Sequence, residues 1–317
     1  MRIIKGLLKA LQVAHQDKNT VLFDRIKSVL SQIARGSGKQ SQDDAGAQSQ
    51  AKGDDKDSKL LMTEVMSLVL KPTKDKQMHQ AYTDCFFTLT KQFCDSNDKQ
   101  LIKFVAFTYQ ELMKKYLGGR GASAHCLNQQ FFLRIFEQSN TALAKSLIKP
   151  LLKYLLPGVK PDQASTEVEG RLADSEMSGL EEEKGQSNSR QLNSRSNHQR
   201  LQAIEIFTCL VKASQSNKHL LVALAAQLDL IGQVMVIIVK SADSWGQKKV
   251  KKTMLALGVF TRLIKTLSMS KSKDKYQTKI EQNASVLVKA IEAACEKDKS
   301  MSNLKGKVKE IQKIMKA

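Results

Sequence analysis

The stretch IIKGLLKALQVAHQDKNTVLFDRIKSVLSQI, residues 3–33, decides the fold class. Apolar side chains recur in it at intervals of three and four residues, the period of a helix with one buried face. These positions are Ile4, Leu7, Leu8 and Leu11, then Leu22, Ile26, Val29 and Ile33. Asn19 or Thr20 can cap the second run. The stretch predicts two helices joined by a short turn, a unit of about forty residues typical of HEAT and armadillo repeats.

The rest of the chain repeats this pattern. Further helices are predicted at 60–70, 77–94, 99–117, 127–138, 140–156, 197–213, 219–240, from 244, at 276–297 and from about 302. Pro150 falls inside one of these runs, where we expect a kink or a fresh helix start. No alternating strand pattern occurs. The predicted fold is therefore all-α, a HEAT/armadillo-like helical-repeat solenoid.

Two polar stretches, 36–58 and 160–197, contain too few large apolar side chains to offset the entropy of ordering the chain. We predict both as disordered linkers. They divide the chain into a helical pair at 1–35, a helical-repeat block at 59–159 and a basic helical block at 198–317. Because Met1 leads directly into a helix with an apolar face, we expect the sequence to be part of a longer protein.

Charge is distributed unevenly along the 317 residues. The formal net charge is +20, and residues 240–317 hold 19 Lys and Arg against 7 Asp and Glu, a net +12. Residues 160–185 reverse the balance, with 3 basic and 8 acidic side chains. A basic excess of this size raises encounter rates with polyanions. Nucleic acid is therefore the predicted partner of the C-terminal block.

The cysteines, Cys85, Cys94, Cys126, Cys209 and Cys295, are odd in number, widely spaced and set in apolar helical runs. This usage indicates reduced, partly buried thiols in a cytosolic or nuclear protein, and we predict neither a metal site nor a cofactor. The longest apolar run, 219–240, contains Gln227, Asp229 and Gln233. These polar residues favour a buried helix over a membrane span.

The stretch SWGQKKVKKTMLAL, residues 244–257, places a lysine cluster beside the only tryptophan. Ser244 and Gln247 have the spacing of a capping box, which predicts a helix that begins at Ser244. Cations in its first turns would oppose the helix dipole, which favours an anionic partner. The predicted nucleic-acid-binding residues, also candidates for nuclear import, are Lys248, Lys249, Lys251 and Lys252. A solvated lysine cluster is the alternative.

The sequence gives little support for a catalytic site. The paired acids Asp43–Asp44 and Asp54–Asp55, with Asp57, lie in the first predicted linker, where nothing holds them around two metal ions. Leu152, Leu155 and Leu156 have the LxxLL order of helices that dock in apolar grooves, although such leucines are usually core. We predict a protein that is not an enzyme and has no small-molecule substrate.

Three stretches resemble the C-terminal part of the Myb-binding protein 1A family, also called DNA polymerase phi and, in fungi, DNA polymerase V. They are IIKGLLKALQVAHQDKNTVLFDRIKSVLSQIARGSGK, YLGGRGASAHCLNQQFFLRIFEQSNTALAKSLIKPLLKYLLPGV and NHQRLQAIEIFTCLVKASQSNKHL. The resemblance implies an armadillo-type nucleolar protein that acts as a transcription co-regulator in ribosomal RNA gene expression and ribosome biogenesis. From it we expect a non-enzymatic scaffold of the nucleus and nucleolus, with nuclear proteins and rDNA or rRNA as partners. The alternative is a cytoplasmic HEAT-type adaptor without a nucleic-acid role.

Overall fold

Helices account for every regular element in the described part of the chain. The computed structural model describes residues 2–36, 51–71, 76–95, 99–118, 127–156, 189–246, 248–270 and 273–316. The α-helices are α1 (Arg2–Gln16), α2 (Thr20–Gly36), α3 (Ala51–Leu70), α4 (Lys76–Asp95), α5 (Lys99–Gly118), α6 (Gln129–Glu137), α7 (Thr141–Leu155), α8 (Ser189–Ala213), α9 (Lys218–Ala226), α10 (Leu228–Lys240), α11 (Lys249–Ser268), α12 (Lys273–Lys297) and α13 (Lys305–Met315). Two 3-10 helices, Ala242–Trp245 and Lys299–Leu304, flank α11 and α12. The predicted all-α, helical-repeat fold class is confirmed.

The described chain forms two compact units. The first contains Met1–Pro150 with Thr208–Gln227, and the second contains Leu151–Phe207 with Leu228–Ala317. In the first unit α1 packs on α2, α3 on α4 and α4 on α5; in the second, α10 packs on α12, and α11 and α12 pack on α13. The units do not coincide with the predicted blocks, because α8 contributes its first turns to one unit and its last turns to the other.

Aromatic rings fill the core of the first unit. Phe86 and Phe131 stack with their ring centroids 5.9 Å apart, and Phe87 lies 5.0 Å from Phe131. Arg134 lies over the Phe87 ring at 4.5 Å and pairs with Asp84 at 2.8 Å. The core thus joins α4 to α6, which are more than thirty residues apart along the chain.

Asparagine side chains begin several helices. The Asn19 Oδ1 accepts from the Leu22 N–H at 3.0 Å, so the predicted cap of the second helix is confirmed and is Asn19. Asn128 caps α6 in the same way. Asn217 caps α9 and donates from Nδ2 to the carbonyl oxygens of Phe136, Glu137 and Ser139. That one amide therefore satisfies the free carbonyl groups at the end of α6 while it begins α9.

Both predicted linkers include residues that the structure shows as helix. Helix α3 begins at Ala51, inside the predicted linker 36–58, and α8 begins at Ser189, inside 160–197. These residues extend helices whose later turns are buried, and packed turns can nucleate the turns that adjoin them. The remaining parts of the two predicted linkers, 37–50 and 160–188, lie outside the described residues.

One prediction within the helices is also wrong. The run 219–240 is not one helix, because it breaks at Gln227 into α9 and α10. Of the two outcomes expected at Pro150, the fresh helix start does not occur, because α7 continues through this residue. Leu147, Ile148, Leu151 and Leu152 on both sides of this proline are all buried, so packing outweighs the lost backbone hydrogen bond. Within the described residues no single helix is long and apolar enough to cross a membrane; α9 and α10 pass that test only as a bent pair.

Candidate nucleic-acid interface

Helix α11 begins five residues later than predicted, at Lys249. Ser244 does not cap it: the Ser244 hydroxyl donates to the Ser241 carbonyl oxygen at 2.6 Å and accepts from Arg200 at 3.0 Å. Gly246 and Lys248 both have positive φ, 61° and 64°, which turn the chain between the 3-10 helix and α11. Gln247, the other half of the predicted capping box, lies outside the described residues. The capping box is wrong because Ser244 has other partners.

Trp245 is a core residue of the second unit. Its side chain is only 1% exposed. The guanidinium carbon of Arg200 lies 3.4 Å from the ring centroid, and the Lys252 ammonium lies 5.8 Å from it. Two cations on one indole ring form a cation–π arrangement that burial strengthens. The only tryptophan therefore stabilises the entry to α11 and is not available to stack on a base.

Arg200 holds three segments together at this point. Its Nε donates to the Leu155 carbonyl oxygen at 3.1 Å, and its Nη1 donates to Ser244. Asn197, one turn earlier on α8, donates to the Trp245 carbonyl oxygen at 3.3 Å. Burial lowers the pKa of Arg200 to about 10, so the group remains charged at neutral pH. No carboxylate among the described residues pairs with it, and the Trp245 ring faces its charge.

Two of the four predicted lysines bind within the protein. The Lys249 ammonium donates to Asp243 at 2.7 Å and to Asp298 at 2.5 Å. These hydrogen bonds, first to Asp243 and then to Asp298, raise the pKa of Lys249. The Lys252 ammonium donates to the Trp245 carbonyl oxygen at 2.9 Å. These contacts offset the unfavourable position of cations at a helix start without any external anion.

The other two lysines face solvent. Lys248 and Lys251 are exposed, and neither makes a side-chain hydrogen bond or ion pair with a described residue. The Lys249–Asp298 ion pair places the turn around Asp298 beside them, and Lys297 and Lys299 on either side of that aspartate are exposed as well. The predicted four-lysine site is therefore split into two structural and two solvent-facing residues.

A second row of lysines lies on α13, and the sequence analysis did not single it out. Lys305, Lys309, Lys313 and Lys316 are exposed, at helical positions i, i+4, i+8 and i+11. This spacing places them on one face. Val308 and Ile311, on the other face, are buried. The only acid of α13, Glu310, pairs with Lys307 at 2.5 Å, which leaves the row without a counterion on its own helix.

The signal for this row was present in the sequence as the four-residue spacing in KGKVKEIQKIMKA, residues 305–317. The predicted site rested instead on the denser cluster KKVKK, residues 248–252, in which four of five residues are lysine. On a helix, however, adjacent residues point in different directions, and a spacing of four residues is what builds a continuous face.

The predicted partner-helix leucines belong to the core. Leu152 and Leu155 are 1% and 0% exposed, and Leu156 is half-buried at the end of α7. A groove could bind this LxxLL face only if the last turn of α7 left the core of the second unit. The placement favours the core interpretation of these leucines.

The remaining candidate groups are the cysteines and the paired aspartates. Burial raises the pKa of the Cys85 thiol to about 11 and that of Cys94 to about 12, so both thiols are protonated at neutral pH. The four described cysteines are buried, as predicted, and none of them forms a disulfide with another described cysteine. Asp43 and Asp44 lie outside the described residues, and Asp54, Asp55 and Asp57 lie in the first turns of α3. Among the described side chains no group of three or more His, Cys, Asp and Glu could hold a metal ion.

No family model and no curated protein matches the chain. Among solved structures, one that resembles it is a circular tandem repeat protein with novel repeat topology and enhanced subunit contact surfaces. The alignment covers 99% of this chain and 69% of that one, with 8% identity and a TM-score of 0.32. A similarity this low supports no conclusion about function.

Proposed function

We propose that this protein is a non-enzymatic helical-repeat scaffold that binds the phosphate backbone of nucleic acid through exposed lysines of its second unit. The observation that carries this proposal is the row on α13. Four exposed lysines share one face, while Lys307 neutralises the only acid of that helix. Lys248 and Lys251 at the start of α11 add to the same basic unit.

The composition of the row favours phosphate over protein. Lysine is depleted in the centres of protein interfaces, which rely on aromatic, Met and Arg side chains. The row on α13 contains none of these. Lysine ammonium groups are instead effective point charges for phosphate. We therefore expect contacts with the backbone and little discrimination between base sequences.

The cellular role proposed here rests on the family resemblance. We propose that the chain acts in the nucleolus, as a transcription co-regulator in ribosomal RNA gene expression and ribosome biogenesis, with rDNA or rRNA and nuclear proteins as its partners. The resemblance to the Myb-binding protein 1A family and the basic second unit support this role. A cytoplasmic HEAT-type adaptor remains the second candidate, favoured by the exposed apolar side chains on α11.

Two measurements test the proposal. The purified chain should bind short single-stranded RNA and duplex DNA of unrelated sequences with similar affinity, and binding should weaken steeply as salt is raised. A chain that binds neither nucleic acid at low salt is not a nucleic-acid scaffold. A tagged chain should accumulate in nucleoli, whereas an even cytoplasmic distribution would favour the adaptor.

A further inference from the structure

The outward face of α11 differs from the row on α13, because it combines cations with apolar side chains. The face is made of residues spaced alternately four and three apart: Lys251, Leu255, Gly258, Arg262, Lys265 and Met269. Leu255 is 48% exposed and Met269 is 76% exposed. Both side chains keep a large part of their apolar surface outside the core, and both lie on this face.

Acidic residues are absent from this part of the sequence. Between Asp243 and Asp274 the chain contains eight Lys and Arg residues and neither Asp nor Glu. Arg262 and Lys265 are exposed and make no side-chain hydrogen bond or ion pair with a described residue. The cations of the α11 face are thus free to meet an acidic partner.

Gly258 lies in the middle of the face, and packing within the chain does not explain it. A Cβ atom built on Gly258 meets nothing within 4 Å. Glycine weakens a helix interior relative to alanine, so the residue is unfavourable for the fold. Because it has no side chain, another backbone can approach the helix closely between Leu255 and Arg262. A Cβ atom built on Gly306 of α13 also meets nothing within 4 Å, so that glycine serves as a matched control.

We propose that the outward face of α11 docks an acidic segment of a partner protein that also carries apolar side chains. Leu255 and Met269 provide the apolar contacts, and methionine adapts well to different partners. Arg262 offers a planar fork that carboxylates bind through two parallel hydrogen bonds. A nucleic-acid backbone would use the cations but not the apolar pair, so the face fits a peptide better than a polyanion.

The dimensions of the face suit a helical segment. From Leu255 to Met269 it extends about 21 Å at 1.5 Å per residue. A partner helix with apolar residues on one face and Asp or Glu on both sides of them matches it over several turns. The face is separate from the row on α13, and it shares only Lys251 with the lysines proposed to bind nucleic acid.

The test uses the full chain and a synthetic helical peptide that has leucines on one face and flanking glutamates. The wild-type chain should bind this peptide, and G258Q should weaken binding about tenfold or more, because the glutamine side chain blocks the close approach of the peptide backbone. Glutamine is a good helix former, so G258Q should be at least as stable as the wild type. G306Q, the matched change on α13, should leave peptide binding unchanged.

Two control ligands decide what the face recognises. A peptide with the same glutamates but glutamine in place of leucine should bind the wild-type chain about tenfold more weakly or worse. Equal binding of that peptide would show that charge alone acts, and would overturn the proposal. The proposal would also be overturned if the leucine peptide did not bind the wild-type chain, or if G306Q weakened peptide binding as much as G258Q does. A third contrary result would be that G258Q weakens the binding of a short single-stranded RNA as much as that of the peptide.

Discussion

The guanidinium of Arg200 lies 3.4 Å above the indole ring of Trp245, and both side chains are almost fully buried. This contact joins α8 to the turn before α11, and the Arg200 hydrogen bond to the Leu155 carbonyl oxygen adds the end of α7. The tryptophan that accompanies the lysine cluster in sequence is therefore part of the packing of the second unit.

Replacing Arg200 should destabilise this unit. Arg200→Leu removes the cation over the ring and leaves the Leu155 carbonyl oxygen and the Ser244 hydroxyl without their Arg200 donor, so we expect a loss of about 2–4 kcal/mol in the free energy of unfolding. The fluorescence of the single tryptophan reports unfolding in urea directly. Arg262→Ala, at an exposed arginine, should stay within about 0.5 kcal/mol of the wild type. Equal effects of the two changes would contradict the assigned role of Arg200.

The lysine cluster should separate into two pairs. Changing Lys248 and Lys251 to glutamine should leave the urea midpoint unchanged and reduce the log–log salt slope of RNA binding by about 0.7 for each lost phosphate contact. Changing Lys249 and Lys252 to glutamine should lower the midpoint, because it removes the contacts with Asp243, Asp298 and the Trp245 carbonyl oxygen. If the Lys248 and Lys251 variant lowered the urea midpoint and the Lys249 and Lys252 variant reduced the salt slope, the two pairs would have the opposite roles.

Asp298 should make stability depend on acid pH. The hydrogen bond from Lys249, with that from Ser300, lowers the pKa of Asp298 from 3.8 to about 2. The unfolded chain thus binds more protons than the folded chain in this window, so the stabilisation is present above about pH 4 and is lost as the pH falls towards 2. Asp298→Asn keeps a capping side chain but cannot titrate.

Urea unfolding at a series of pH values checks this dependence. The wild type should lose more stability than Asp298→Asn between about pH 5 and pH 2. Parallel curves for the two proteins would mean that Asp298 has an ordinary pKa in the folded chain.

Gly232 should be required for the approach of α10 to α12. A Cβ atom at this position would lie 2.2 Å from the Asn283 Oδ1, and Asn283 donates to Asp229 at 2.9 Å. Gly232→Ala forces Asn283 to move, and we expect a net loss of about 1–2 kcal/mol after the gain in helix propensity. In an Asn283→Ala background only the Cβ atom of residue 283, at 3.1 Å, remains close, so the same change should cost at least about 1 kcal/mol less. Equal losses in both backgrounds would place the conflict elsewhere.

Local periodicity explains why so much of the helical fold was predictable. Helices α1 and α2, and the Asn19 cap between them, follow from residues close in sequence. The start of α11 was predicted wrongly because Ser244 is paired with Arg200, forty-four residues earlier. Sequence spacing cannot show such a pairing.

The candidate site was only half predictable for the same reason. Lys249 and Lys252 look as available as Lys248 and Lys251 in the sequence, and only tertiary contacts with Asp298 and Trp245 distinguish them. The row on α13 could have been found from its four-residue spacing. Whether the row faces solvent without a counterion depends on the burial of the opposite helix face and on the Lys307–Glu310 ion pair.

The most direct test of the account is the salt dependence of RNA binding after three lysines of the α13 row, Lys305, Lys309 and Lys313, are changed to glutamine. The matched control changes Lys240, Lys275 and Lys289, which are also exposed lysines of the second unit. Both variants lose the same charge. We predict that the α13 variant reduces the log–log salt slope on single-stranded RNA by about 2, and that the control changes it much less. Equal slopes for the two variants would mean that net charge alone attracts RNA, and would contradict a binding surface on α13.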